Sequence, residues 1–169
     1  MGKMKIPSIG LVTPVFEGPH PRRNPGLMYN SGGVFLPALD HGPAHYPGNA
    51  EPWQKGTVVF SGHRVTHTRP FHRLGNIHRG NVISVITRWG TFRYKVIPPP
   101  RGPSYSRNAY AVRGSPCALR SACGIVWGGA GWFFRWHSSG HWLVLLACAP
   151  PGDKQYRLAV FAKRVKVVR

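Results

Sequence analysis

Apolar and polar positions alternate most regularly over residues 91–96, where Phe92, Tyr94 and Val96 interleave with Thr91, Arg93 and Lys95. A period of two is that of a half-buried strand. Val82–Thr87 is apolar enough for a central strand, and Trp89-Gly90 supplies a turn, so the pair predicts a β-hairpin. Residues 142–147 form a continuous apolar run of the length and bulk expected of a buried strand. Pro150 and Pro151 end it, because proline cannot extend a sheet ladder. Cys148 therefore lies at the last residue of a buried strand, facing a loop. Residues 155–161 read as a second strand with Arg157 near its start, which brings a cysteine and an arginine onto neighbouring strands.

Elsewhere the pattern is shorter. Residues 3–18 read as two short strands broken by proline, with Ile6, Ile9, Leu11, Val12, Val15 and Phe16 turned inward. Residues 57–60 are a short apolar run that places His63 just past a strand end. Residues 19–33 are a loop by composition, and residues 40–56, dense in Gly, Pro and His, are irregular. Residues 98–141 carry no clean period. No stretch sustains an apolar repeat at helical spacing, so the predicted class is all-β with short helices and long loops, in a chain of one domain's length.

Composition narrows the chemistry. The chain has 23 Lys and Arg against 4 Asp and Glu, a formal charge of +19. Such a surplus points to phosphate backbones or anionic surfaces as partners. The acids, Glu17, Asp40, Glu51 and Asp153, stand singly in the sequence. That argues against paired-carboxylate hydrolysis and two-metal phosphoryl transfer. It also argues against an oxygen-rich calcium site, and no cofactor is expected. Cys117, Cys123 and Cys148 make no CxxC pair, and Cys148 stays free even if the other two join. No apolar run approaches the ~20 residues of a spanning helix, and proline interrupts the N-terminal stretch, so no membrane segment is expected.

Three constellations remain. His41/His45 and His63/His67 each form HxxxH, but Pro43 opposes a helix at the first and the second lacks a zinc-protease glutamate, so solvated loop histidines are expected. Trp127, Trp132, Trp136 and Trp142 with nearby arginines suit base stacking, yet no nucleic-acid motif is present and nucleic acid is not the expected partner. His63, Cys148 and Arg157, each at a strand edge, supply a thiol, a proton donor and an oxyanion partner.

The segment HGPAHYPGNAEPWQKGTVVFSGHRVTHTRPFHRL, residues 41–74, resembles the surroundings of the catalytic histidine in sortases, particularly the class E type of Gram-positive actinobacteria. NVISVITRWGTFRYKV is similar to the hairpin that follows it, and IPSIGLVTPVFEG to the opening strand pair. VLLACAPPGDKQYRLAVFA takes the place of the TLxTC motif and the arginine one strand later, with Val144 and Ala147 where the motif has threonines.

The resemblance implies an eight-stranded sortase β-barrel over residues 6–165, with residues 98–141 as a variable excursion. It implies a cysteine transpeptidase at the extracytoplasmic face of the bacterial membrane. Cys148 would attack the Thr–Gly carbonyl of an LPxTG- or LAxTG-like sorting signal, His63 would protonate the departing amine, and Arg157 would stabilise the oxyanion. The partners would be that peptide and an amine of a peptidoglycan precursor or pilin. Tyr46, Arg64, His67 and Ala147 are expected to face substrate. A catalytically weakened binding module of the same fold, or a basic Trp-rich nucleic-acid binder, are the alternatives.

Overall fold

The computed structural model describes residues 1–18, 36–46, 48–100, 116–119, 121–127, 139–149, 151–152 and 156–168. Nine strands are described: β1 (Gly2–Ile6), β2 (Leu11–Glu17), β3 (Ala44–His45), β4 (Gly56–Ser61), β5 (Val82–Thr87), β6 (Gly90–Ile97), β7 (Gly124–Trp127), β8 (His141–Ala149) and β9 (Tyr156–Val168). Two short helices, α1 (Leu36–His41) and α2 (Pro116–Leu119), accompany them. The sheet order is β6-β5-β1-β2-β3-β4-β8-β9, and pairing of β9 back onto β6 closes eight strands into a barrel. β7 lies outside the ring, against the first half of β9.

The predicted hairpin forms, with its turn at Arg88-Trp89 in place of Trp89-Gly90: Thr87 pairs with Gly90, which takes φ 130°, a value that suits glycine. Its inward residues, Ile83, Val85, Phe92, Tyr94 and Val96, fill the barrel with Met4, Ile6, Phe60, Leu143, Leu145 and Val160. Burying each such side chain contributes roughly 1.5–3 kcal/mol. β8 is apolar on consecutive positions because both its faces are covered. Leu143, Leu145, Ala147 and Ala149 face the barrel interior. Val144 and Leu146 face the other way, against Val59, Ala159, Phe161 and the half-buried Tyr46 and Ile97.

Several expectations change. The break in the N-terminal segment is a 3-10 turn at Pro7–Ile9, whereas Pro14 stays inside β2. Val12 points outward, 63% exposed, because Thr13 and Val15 take the inward positions of the alternation. β8 continues through Cys148 to Ala149. β9 runs on to Val168, since its charged second half finds a partner in β6. Residues 40–56 hold the end of α1 and all of β3, and residues 98–141 hold α2 and β7. Cys117 and Cys123 form a disulfide, which excludes their thiols from any metal site and leaves Cys148 free. Trp127 and Trp142 lie in strands; Trp132 and Trp136 fall outside the described residues.

Candidate active site

β4 and β8 are parallel neighbours, with Ser61 opposite Leu146, and the Gly62 amide extends the ladder by donating to the Leu146 carbonyl at 3.0 Å. His63 and Cys148 each lie two residues beyond that matched pair. On the other side of β8, Cys148 pairs directly with Arg157 of β9. Neighbouring strands run about 4.8 Å apart, so Cys148 and Arg157 stand side by side, and His63 follows the end of β4 on the other side of β8. Cys148 is half-buried, as is Arg157.

The chain after β4 is held tightly. A Cβ added to Gly62 would lie 2.6 Å from the buried Phe71 ring, so the ring occupies the space that any other residue would need. The Phe71 amide donates to the His63 carbonyl at 3.0 Å. His67 and Arg69 adopt φ of 54° and 45°, the left-handed region that costs ordinary side chains strain. The outcome is that the His67 ring stacks on His63, with centroids 4.8 Å apart at 29°.

Asp40, from the end of α1, meets this pair. Its Oδ1 is 3.5 Å from His63 Nε2 and 3.1 Å from His67 Nε2. The ligand atoms of Asp40, His63 and His67 lie close enough together to hold a metal ion. Sequence spacing did pair His63 with His67, but Asp40 is 23 residues from His63 and carries no local signal.

Arg64 is 4% exposed, and its Nη1 donates to the Cys148 carbonyl at 2.9 Å. Burial lowers the pKa of its guanidinium, and the Cys148 side chain opposes that shift. Arg64 is thus turned onto the protein's own backbone, in place of the substrate-facing position expected for it. Ala147 also departs from expectation. It is 3% exposed and faces the barrel interior, because alternation puts it on the side opposite Cys148. Tyr46 packs on the Cys148 side of β8. Burial raises its pKa, while a hydrogen bond with Ser61 and the charge of Arg157 lower it.

A second cluster joins Glu17, His45 and Glu51. His45 is 1% exposed, so it is no solvated loop residue. Its Nδ1 meets Glu17 Oε1 at 2.8 Å and its Nε2 meets the Ala50 carbonyl at 3.1 Å. A carbonyl only accepts, so the Ala50 contact calls for a hydrogen on Nε2. Any metal would have to displace one of these bonds. Acids dispersed in sequence therefore converge in space, which the sequence pattern did not reveal. His41 is exposed at the end of α1 and does not share a site with His45.

The sortase domain family matches residues 4–165. The chain belongs to the sortase family. Sortase D of Bacillus subtilis (strain 168) is 27% identical over 96 residues, a match that takes in 57% of this chain and 39% of that protein. Sortase C2 of the Group B Streptococcus pilus island 1 superposes with a TM-score of 0.69 at 21% identity, covering 98% of this chain and 73% of that one. Sortase A from Corynebacterium diphtheriae gives 0.68 at 19%, covering 98% and 60%. A sortase E variant from Streptomyces avermitilis gives 0.58 at 23%, covering 98% and 87%. These likenesses agree with the closed eight-stranded sortase barrel.

Proposed function

We propose that this sortase is a cysteine transpeptidase of class E character. It cleaves an LPxTG- or LAxTG-like sorting signal between Thr and Gly and passes the new acyl end to an amine. The observation that supports the reading is Cys148 registered opposite Arg157 on β9, with His63 just beyond the end of β4, the neighbour of β8 on its other side. Cys148 Sγ, as thiolate, attacks the Thr carbonyl carbon, and the oxygen that becomes negative lies toward Arg157. The C–N bond breaks as His63 gives its proton to the departing Gly amine, leaving a thioester on Cys148. An acceptor amine, from a peptidoglycan precursor or a pilin, then attacks the thioester, loses a proton to His63 and releases the thiolate.

The remaining residues support this arrangement. Asp40 is a positioning residue whose carboxylate faces both His63 and His67. Arg64 fixes the end of β8 by donating to the Cys148 carbonyl. Tyr46 lines the face that carries Cys148. The work of such an enzyme lies at the extracytoplasmic membrane face, where surface proteins and cell-wall amines meet.

The test is to mix the protein with LPxTG and LAxTG peptides and a glycine-based amine, and to follow the products by mass spectrometry. The expected result is cleavage after Thr with the amine joined to it. Cleavage elsewhere, or activity unchanged in Cys148→Ala, contradicts the proposal.

A further inference from the structure

The outer face of the sheet far from Cys148 is unexplained by peptide chemistry. Alternation turns Met4, Ile6, Ile83, Val85, Phe92, Tyr94 and Val96 inward, and Lys3, Lys5, Arg93, Lys95, Lys163 and Lys166 are all exposed. Register aligns them. Lys5 is opposite Ser84, Ser84 opposite Arg93, and Arg93 opposite Lys166. In the next row Val82 is opposite Lys95, Lys95 opposite Lys163, and Lys163 opposite Trp142. Two like-charged pairs, Arg93/Lys166 and Lys95/Lys163, therefore face each other directly across β6 and β9.

Directly opposed like charges destabilise a sheet. No acid occurs on β1, β5, β6, β8 or β9 to relieve them. Glu17 and Asp40 face histidines, Glu51 lies in the His45 cluster, and Asp153 falls outside the described residues. At one end this cationic face meets an apolar fringe: Trp89 is 53% exposed, Trp53 39%, Val165 57% and Val168 40%. The Arg88 guanidinium lies 4.6 Å over the Trp89 ring, and Trp53 and Trp89 flank an open groove of about 850 Å³ with Phe92, Arg164 and Val167.

We propose that this face docks on an anionic phospholipid bilayer, with the six cations against headgroup phosphates and the Trp–Val fringe at the headgroup boundary. Cations on β1, β6 and β9 share one side of the barrel wall, and such an extended positive patch suits an extended negative surface. Exposed tryptophan beside aliphatic residues and arginine suits an interface with one apolar and one wet side. A single-stranded nucleic acid calls for aromatics interleaved with cations along a channel, whereas among the described residues the exposed tryptophans, Trp53 and Trp89, lie together at one end. From Arg157 to Lys163, the first docking cation on β9, the strand extends about 20 Å at ~3.3 Å per residue, so a docked molecule leaves Cys148 free. The inference stands independently of the transpeptidase reading.

The test is sedimentation of the full chain with phosphatidylcholine vesicles, with and without phosphatidylglycerol, alongside a random single-stranded oligonucleotide. Binding is expected only to the anionic vesicles, and to fall as salt is raised. Each cation near the surface contributes about fivefold to partitioning, so Lys95→Glu with Lys166→Glu is expected to weaken binding by well over tenfold. Lys166→Glu alone turns an opposed pair into an attractive one, so it is expected to melt no lower than wild type while binding vesicles at least about fivefold less. That combination separates lost docking from lost folding. Cys148→Ala is expected to bind vesicles as wild type does. Equal binding to neutral vesicles, unchanged binding in Lys166→Glu, or tighter binding to the oligonucleotide at equal phosphate would overturn the proposal.

Discussion

The two ends of β9 treat charge in opposite ways. At its start, Arg157 is half-buried beside Cys148, one strand from a histidine that has Asp40 for a partner. Toward its finish, Lys163 and Lys166 stand exposed opposite Lys95 and Arg93, with no acid on either strand. Three of the four acids in the chain lie in histidine clusters, and none of those three stands on β6 or β9. Where the protein needs a particular protonation state, it matches charges within the fold. Where it presents charge to something outside, it leaves the charges unmatched and accepts lower stability.

The largest expected effects fall at the matched end. Cys148→Ala removes the nucleophile, so no acyl product should form in a peptide assay. His63→Ala and Arg157→Ala each remove one role, and kcat/KM should fall about 10²–10⁴-fold and 10²–10³-fold respectively. Asp40→Asn keeps the shape but removes the carboxylate charge; a loss of about tenfold, or ~1.4 kcal/mol, is expected. Its melting temperature should stay near that of wild type, whereas a purely structural Asp40 would lower it.

Gly62→Ala tests the packing beneath that end. The new methyl would press on the Phe71 ring at 2.6 Å, and a stability loss of about 1–3 kcal/mol with reduced turnover is expected in denaturant titration.

The unmatched end predicts the reverse sign. Lys166→Glu opposite Arg93 should raise stability by about 0.2–1 kcal/mol, measured the same way. The smallest effect belongs to Glu51. Burial raises its pKa, and its Oε2 is buried without a hydrogen-bond partner. A carboxyl that holds its proton longer when folded contributes stability fully below the unfolded value, about pH 4, and loses it as pH rises through the folded value. Glu51→Gln should therefore flatten the stability profile above about pH 4.

Much of this arrangement was legible in the sequence. Alternation gave the β5–β6 hairpin, and the proline pair after Cys148 marked the end of β8. His63, Cys148 and Arg157 are visible as strand-edge residues because the apolar runs that precede or surround them are unmistakable. What the sequence left unread depends on long-range register. Asp40 reaches His63 only because α1 is carried beside β4 through β2 and β3. Arg64 was expected to face substrate because nothing local reveals that its guanidinium turns back onto the Cys148 carbonyl. Ala147 looked like a substrate contact by neighbourhood, yet a period of two sends it to the opposite face. The second half of β9 looked too charged for a strand until β6 supplied its partner.

Intact-mass spectrometry of the protein after incubation with an LAxTG or LPxTG peptide tests the central claim most directly. The account predicts an added mass equal to the peptide through Thr, absent in Cys148→Ala and poorly accumulated in His63→Ala and Arg157→Ala. No adduct, together with a Cys148 thiol inert to a small alkylating reagent in the folded protein, would contradict it.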